Sequence, residues 1–124
     1  VSRFNDFSEV AFDFEDYSNG KLNALDSIMQ QNIYMIVQEV FTNIIKHAKA
    51  TEAFVQVFER EGNTLQIIIE DDGIGILNFT ENKGIGLKNI QKRADISKLV
   101  LNVDSTPMGT NFIIETPKMP WLTL

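Results

Sequence analysis

Residues 38–48 read Gln-Glu-Val-Phe-Thr-Asn-Ile-Ile-Lys-His-Ala and set Glu39, Asn43, Lys46 and His47 into an otherwise apolar, helix-forming run. Separations of four, three and one place these polar groups on neighbouring turns of one helical face, because an α-helix repeats every ~3.6 residues. The opposite face carries Ile33, Val37, Val40, Phe41, Ile44 and Ala48, a stripe wide enough to be the buried side. Any fold built on this helix must cover the apolar stripe and leave a carboxylate, a carboxamide and a cation together on the other side. Taken alone, such a polar face is more often a solvated surface than a site.

The remaining segments supply the cover. Residues 9–14 alternate Val10, Phe12 and Phe14 with Ala11 and Asp13 as a strand does, and Asp16-Tyr17-Ser18-Asn19-Gly20 is a turn cluster that stops it. Asp26 or Ser27 caps the helix, which is expected to run to about Lys49. Two strands over 52–60 and 64–70, joined by Glu61-Gly62-Asn63, form an antiparallel hairpin. A short helix is predicted over 87–96, with Leu87, Ile90 and Ala94 at helical spacing. Two closing strands carry Leu99, Leu101 and Val103, then Phe112 and Ile114, around a Thr106-Pro107-Met108-Gly109 turn.

About five strands and two helices, with hairpins adjacent in sequence, predict an α/β (α+β) two-layer sandwich: a mixed, mainly antiparallel sheet covered on one face by helices. Phe54 and Phe58 fall on the face such a sheet leaves to water. They are expected to be covered by the N-terminal segment or a neighbouring domain, or to lie at an edge.

With 124 residues the chain is read as one domain, 1–124, with its core over about 8–117. No apolar run reaches the roughly 18 to 20 residues of a membrane span, so a soluble domain without membrane contact is expected. A net charge of -6 argues against a nucleic-acid partner, whose phosphates need a basic patch, but leaves open a single nucleotide held through a metal ion. The absence of cysteine excludes disulfides, thiolate zinc sites and a cysteine nucleophile. The first residue is Val1, which points to a piece of a longer protein.

Three segments carry candidate chemistry. Asp71-Asp72-Gly73-Ile74-Gly75 ends a strand with a carboxylate beside glycines two apart, and a flat ligand can lie against such backbone. Asp71 there can accept from an amino group, which selects adenine over guanine; the same residues also make an ordinary turn. Lys83-Gly84-Ile85-Gly86-Leu87 leads into a helix, whose unpaired N–H groups suit phosphate, although a plain helix cap has the same composition. It lacks the third glycine of a dinucleotide fingerprint, and no Walker-type Gly-Lys-Ser/Thr occurs. On the long helix, Asn43 offers an amide oxygen to Mg²⁺, Glu39 a general base and Lys46 a point charge for phosphate. His47 is the one histidine, and a structural hydrogen bond suits it better than a metal.

The order Glu-x-x-x-Asn-x-x-Lys-His, Asp-x-Gly-x-Gly, Gly-x-Gly-Leu and Gly109-Thr110 resembles the GHKL ATPase superfamily. The likeness is greatest to the catalytic ATP-binding domain (HATPase_c) of bacterial two-component sensor histidine kinases, over roughly residues 8–117. Asn43-Ile44-Ile45-Lys46-His47-Ala48 and Gly84-Ile85-Gly86-Leu87-Lys88-Asn89-Ile90, with Arg93, are similar to the nitrate-sensor subfamily.

The resemblance implies a Bergerat fold with ATP and Mg²⁺ as cofactors. By carry-over Asp71 binds the adenine amino group with Thr110 acting through a water, Asn43 holds Mg²⁺, and Glu39 is the base or polariser. Gly73, Gly75, Gly84 and Gly86 shape the pocket and lid, Leu87 belongs to the same nucleotide-binding set, and Lys46 and His47 lie near the phosphates. Residues 76–83 are then a short ATP lid, with Phe79 in the region where larger relatives carry a phenylalanine motif. Ser97-Lys98-Leu99 replaces a usual glycine pair.

The implied activity is transfer of the γ-phosphoryl group to a histidine on a separate dimerisation domain, with a response regulator served indirectly. The expected location is cytoplasmic, free or as part of a membrane-anchored sensor. Because the dimerisation domain is absent from the chain, it is not expected to autophosphorylate alone. Two rivals share the pocket: a serine kinase of the anti-sigma-factor type, and a non-catalytic ATP-dependent switch module.

Overall fold

The computed structural model describes residues 11–48, 50–61, 63–73 and 85–118. Its long helix α1 spans Ser27–Asn43 and starts where Asp26 leaves helical geometry and accepts the Met29 N–H on its side-chain oxygen at 2.9 Å. Of the two residues named as caps, Asp26 does the work. A single π-helical turn, Ile44–Ala48, continues the helix, so the regular spacing expected as far as Lys49 holds only to Asn43.

Five strands form one sheet in the order β1-β2-β3-β5-β4: β1 Ala11–Tyr17, β2 Glu52–Arg60, β3 Thr64–Asp71, β4 Val100–Thr106 and β5 Gly109–Glu115. β1 runs parallel to β2 and every other pairing is antiparallel, as expected for a mixed, mainly antiparallel sheet. The second helix, α2, spans Ile85–Ile96 and begins earlier than the predicted Leu87. The strand read over 9–14 extends instead to Tyr17, because Asp16 and Tyr17 still pair with Val57 and Phe58. The turn comes after them, at Asn19 and Gly20, where φ is 56° and 82°. Positions 1–10, 74–84 and 119–124, including Val10, Phe79 and Trp121, lie outside the described residues.

Apolar residues from both layers fill the space between helices and sheet. Ile36, Val40, Phe41 and Ile44 of α1 and its last turn meet Val55 and Val57 of β2, Ile67 and Ile69 of β3, and Phe112 and Ile114 of β5, all fully buried. The Phe12 and Phe41 rings pack tilted with centroids 4.3 Å apart, tying edge strand β1 to the helix. The apolar stripe read from the sequence is buried at Ile33, Val40, Phe41 and Ile44 and half-buried at Val37.

The end of α2 explains the missing glycine pair. Lys98 takes a left-handed φ of 56°, Leu99 N–H donates to Ala94 O at 2.8 Å and Lys98 N–H donates to Asp95 O at 3.2 Å. This is the paired-bond helix stop that glycine usually occupies, made here with a lysine. A side chain in that conformation costs about 1–2 kcal/mol. Lys98→Gly should therefore raise stability by about 0.5–1 kcal/mol after glycine's extra unfolded-state entropy is subtracted. Urea unfolding checks it, and a less stable variant would mean that the lysine side chain stabilises the turn.

Candidate functional site

α1 rises from the end of the sheet where β1 finishes to the end where β2 begins, so its last turns sit at the end where β3 terminates in Asp71. α2 runs antiparallel to α1: Ser97, just past its end, accepts on Oγ from Asn32 Nδ2 at 2.8 Å near the start of α1. Arg93 NH1 donates to Asn32 Oδ1 at 3.4 Å. The start of α2, the end of α1 and the end of β3 therefore share one end of the sandwich. That is the end where the sequence-predicted residues collect.

Asn43 stands two turns after Ile36 and points the same way, into the interior; it is 6% exposed. Its Nδ2 has no hydrogen-bond partner among the described residues. This corrects the simple division of the helix into a polar and an apolar face, since Asn43 is buried with the core residues. Glu39 is half-buried and, with Met35, Asn89, Lys92 and Arg93, lines a cavity of about 360 Å³ between the two helices. The helix's polar side thus faces α2 through Asn32 and Glu39. Lys46 is exposed, on the π turn, and makes no ion pair among the described residues. The side chain of His47 lies outside the described residues.

Asp71 closes β3 on the helix-covered side of the sheet, alternating with Leu65, Ile67 and Ile69, and is 5% exposed. The Gly73 N–H donates to its Oδ1 at 2.8 Å. Burial pushes its carboxyl above the ordinary aspartate range; the Gly73 N–H opposes that, and the neighbouring Asp72 and Glu70 charges add to it. Its register partner on β5 is Thr110, also buried. A cavity of about 200 Å³ at this end is lined by Glu70, Asp104, Thr106, Met108, Gly109 and Asn111 together with Asp71 and Thr110, and most of that lining belongs to the outer face of the sheet, not to the side covered by α1. Glu39 and Asp71 line different cavities among the described residues.

Gly73 is placed and buried. Gly75 and Gly84 lie outside the described residues, as does the segment read as the lid. Gly86 and Leu87 fall within the first turn of α2 and not in a loop ahead of it. Their side of the helix carries the unpaired N–H groups common to every helix start.

Two residues have structural roles that the sequence did not show. Asp72 faces away from the interior and accepts from Thr51 N–H at 2.9 Å, Thr51 Oγ1 at 2.6 Å and Glu52 N–H at 3.0 Å, which hold its carboxyl below the usual range. It clamps the end of β3 to the start of β2. Gly109 has φ +144°, and a Cβ there would stand 2.2 Å from the Asp71 carbonyl oxygen. Only a residue without a side chain lets β5 approach Asp71 this closely.

The family described as "Histidine kinase-, DNA gyrase B-, and HSP90-like ATPase" (HATPase_c) matches residues 29–120. The chain belongs to this family. Among curated relatives, this ATPase domain is 36% identical over 100 residues to an uncharacterized sensor-like histidine kinase of Chloroflexus aurantiacus, covering 75% of the chain and 17% of that protein. It is 28% identical over 95 residues to the signal transduction histidine-protein kinase/phosphatase UhpB of Salmonella typhimurium, covering 77% of the chain and 19% of UhpB. The chain thus spans about a fifth of the length of these relatives.

Among solved structures, the histidine kinase domain of the Erythrobacter litoralis EL346 blue-light activated histidine kinase superposes with a TM-score of 0.70 at 20% identity, over 98% of this chain and 58% of that one. The mycobacterial sensor histidine kinase MprB superposes with a TM-score of 0.69 at 17% identity, over 96% and 89%. At those identities the superpositions speak for the fold, which is that of histidine kinase catalytic domains. The ATPase family match makes ATP the ligand class. Among the described residues no helix is long and apolar enough to cross a membrane.

Proposed function

We propose that this chain is a single catalytic domain that binds Mg·ATP at the shared end of α1, β3 and α2 and passes the γ-phosphoryl group to a histidine on a separate dimerisation domain. The observation that carries the reading is the presence, at one end of the sandwich, of a buried carboxylate at Asp71 and of a buried carboxamide at Asn43 whose Nδ2 has no partner among the described residues. A buried N–H donor left without an acceptor costs about 1–3 kcal/mol, which an acceptor oxygen such as a phosphate's relieves; a metal would take the amide oxygen instead.

Asp71 accepts from the adenine amino group, with Thr110 beside it. Gly73, Gly75, Gly84, Gly86 and Leu87 complete the nucleotide-binding set that the family motif implies. Lys46, exposed on the π turn, and His47 meet the phosphates. Mg²⁺ fits Asn43: the metal prefers oxygen ligands and keeps several waters and phosphate oxygens, so one amide suffices, and no cluster of three or more histidine, cysteine or acidic side chains stands ready to cage it among the described residues. When bound, Mg²⁺ neutralises charge on the phosphates.

Glu39 takes or orients the proton of the accepting group, from the cavity it shares with Lys92 and Arg93. The chain's only histidine is His47, inside the nucleotide-site motif, so the phosphoacceptor belongs elsewhere in the protein and this domain does not autophosphorylate alone. A response regulator then receives the phosphoryl group from that histidine, in the cytoplasm.

Glu39→Gln should leave ATP affinity nearly unchanged while lowering phosphotransfer by about 10²–10⁴-fold, the usual contribution of a positioned general base. The measurement supplies the dimerisation domain in trans and follows labelled phosphate onto it. Undiminished transfer would remove Glu39 from the chemistry, and no transfer by the unaltered domain to any histidine would remove the kinase reading itself.

A further inference from the structure

The outer face of the sheet, away from the helices, departs from the polar surface that a half-solvated antiparallel sheet normally shows. Four apolar residues cross it on a diagonal, Phe54 on β2, Ile68 on β3, Ile113 on β5 and Val100 on β4, and the stacked pair Phe58 of β2 and Tyr17 of β1 stands below the line at the β1 edge. The register gives the line directly. Phe54 stands level with Glu70, Asn111 and Asp104, Ile68 pairs with Ile113 two residues lower, and Val100 pairs with Glu115 two residues lower again. Val100 is 54% exposed, the other three are half-buried, and no described element lies over them. Three strand spacings across and four residues along make the stripe about 20 Å long, the length of a helix of about 13 residues.

Carboxylates flank it on both sides, with Glu70 and Asp104 above the diagonal and Glu15 and Glu115 below. The one cation among the outward positions of the five strands is Arg60. It is already engaged, with its guanidinium 4.6 Å from the centre of the Phe58 ring and its Nε donating to Gln66 at 2.8 Å. An apolar line between two acidic margins is complementary to an amphipathic helix with lysines or arginines on both sides of its apolar face. The flanking segments do not match that charge: residues 1–10 set Arg3 against Asp6 and Glu9, and residues 119–124 carry no charged side chain.

We infer that the outer sheet face is a docking surface for a basic amphipathic helix from a protein partner. It stands apart from the nucleotide end, on the side of the sheet opposite α1 and α2. Docking there leaves the residues of the ATP site uncovered.

The test uses the full chain and, as probe, a helical peptide of about 14 residues with leucines at i, i+3, i+4 spacing and lysines elsewhere; a second peptide has glutamates in place of the lysines. In the free chain a soluble paramagnetic agent should broaden the Ile68 and Ile113 methyl signals. The basic peptide should then bind and protect those methyls, lose affinity at least tenfold in Glu15→Lys/Glu115→Lys and in Ile68→Lys/Ile113→Lys, and leave ATP affinity unchanged. Methyls already shielded in the free chain would mean that its own ends cover the stripe, and would overturn the inference. So would absence of binding, equal binding of the acidic peptide, or an affinity untouched by either pair of substitutions.

Discussion

Asp71→Asn should lose ATP while keeping, or slightly gaining, thermal stability. The two effects separate because the carboxylate is held in a place that does not suit it without ligand. Its folded-state pKa is raised above the ordinary value of 3.8, mainly by burial. For a group shifted upward, the associated stability is present below the unfolded pKa and is lost as pH rises through the folded one, so at neutral pH the free protein carries the cost of a buried charge. Asparagine removes that cost and keeps an oxygen to accept the Gly73 N–H.

Binding goes the other way. A hydrogen bond to a charged acceptor is worth about 1.5–3 kcal/mol, or about tenfold to a hundredfold in affinity. The new amide N–H can also face the adenine amino group donor to donor, which adds to the loss. In the unaltered domain ATP affinity should weaken as pH falls through the raised Asp71 pKa, beginning above the range in which an ordinary aspartate titrates; the asparagine variant should lack that dependence. Calorimetry across pH with Mg·ATP reads both, and an asparagine variant that binds as tightly as the unaltered domain would sink the assignment of Asp71.

What the sequence disclosed, and what it hid, divides along physical lines. Strand alternation, the Glu61-Gly62-Asn63 hairpin and the Asp26 cap depend on neighbours in the chain, and all three were legible there. The two-layer sandwich followed from their order. Asn43 was legible as a residue of interest but not as a buried one. Burial is set by tertiary packing, and α2 meets α1 through Asn32, Ser97 and Arg93, contacts between residues more than sixty positions apart.

The π turn at Ile44–Ala48 was invisible for a similar reason, because Ile, Lys and Ala suit either winding. Lys98 misled in the opposite sense. Its helix stop has the usual bonds, and only the residue type departs from habit. Gly109 was noticed beside Thr110 as a motif, yet its reason for being glycine lies in a strand that ends nearly forty residues earlier. No periodicity in the chain shows that approach.

That approach yields the sharpest structural prediction. Gly109→Ala should destabilise the domain by about 2–4 kcal/mol and weaken ATP binding with it. The added Cβ meets the Asp71 carbonyl oxygen at 2.2 Å and its carbonyl carbon at 3.3 Å, both backbone atoms of a paired strand that cannot rotate aside as a side chain can. Either β5 leaves its register beside Asp71 and Thr110, or the end of β3 shifts and carries the Asp71 carboxylate with it. Gly20→Ala is the matched control: its φ of +82° imposes the left-handed penalty of about 1–2 kcal/mol, but a Cβ there meets nothing within 4 Å, and it sits at the end of the sheet away from the site. Urea unfolding of the two variants separates collision from backbone strain, and calorimetry separates both from ligand binding. Gly20→Ala should bind ATP normally, whereas Gly109→Ala should bind it at least tenfold more weakly even where the fold is fully populated. If the two variants matched in stability and in affinity, the close contact between β5 and Asp71 would not be what holds the Asp71 carboxylate in place.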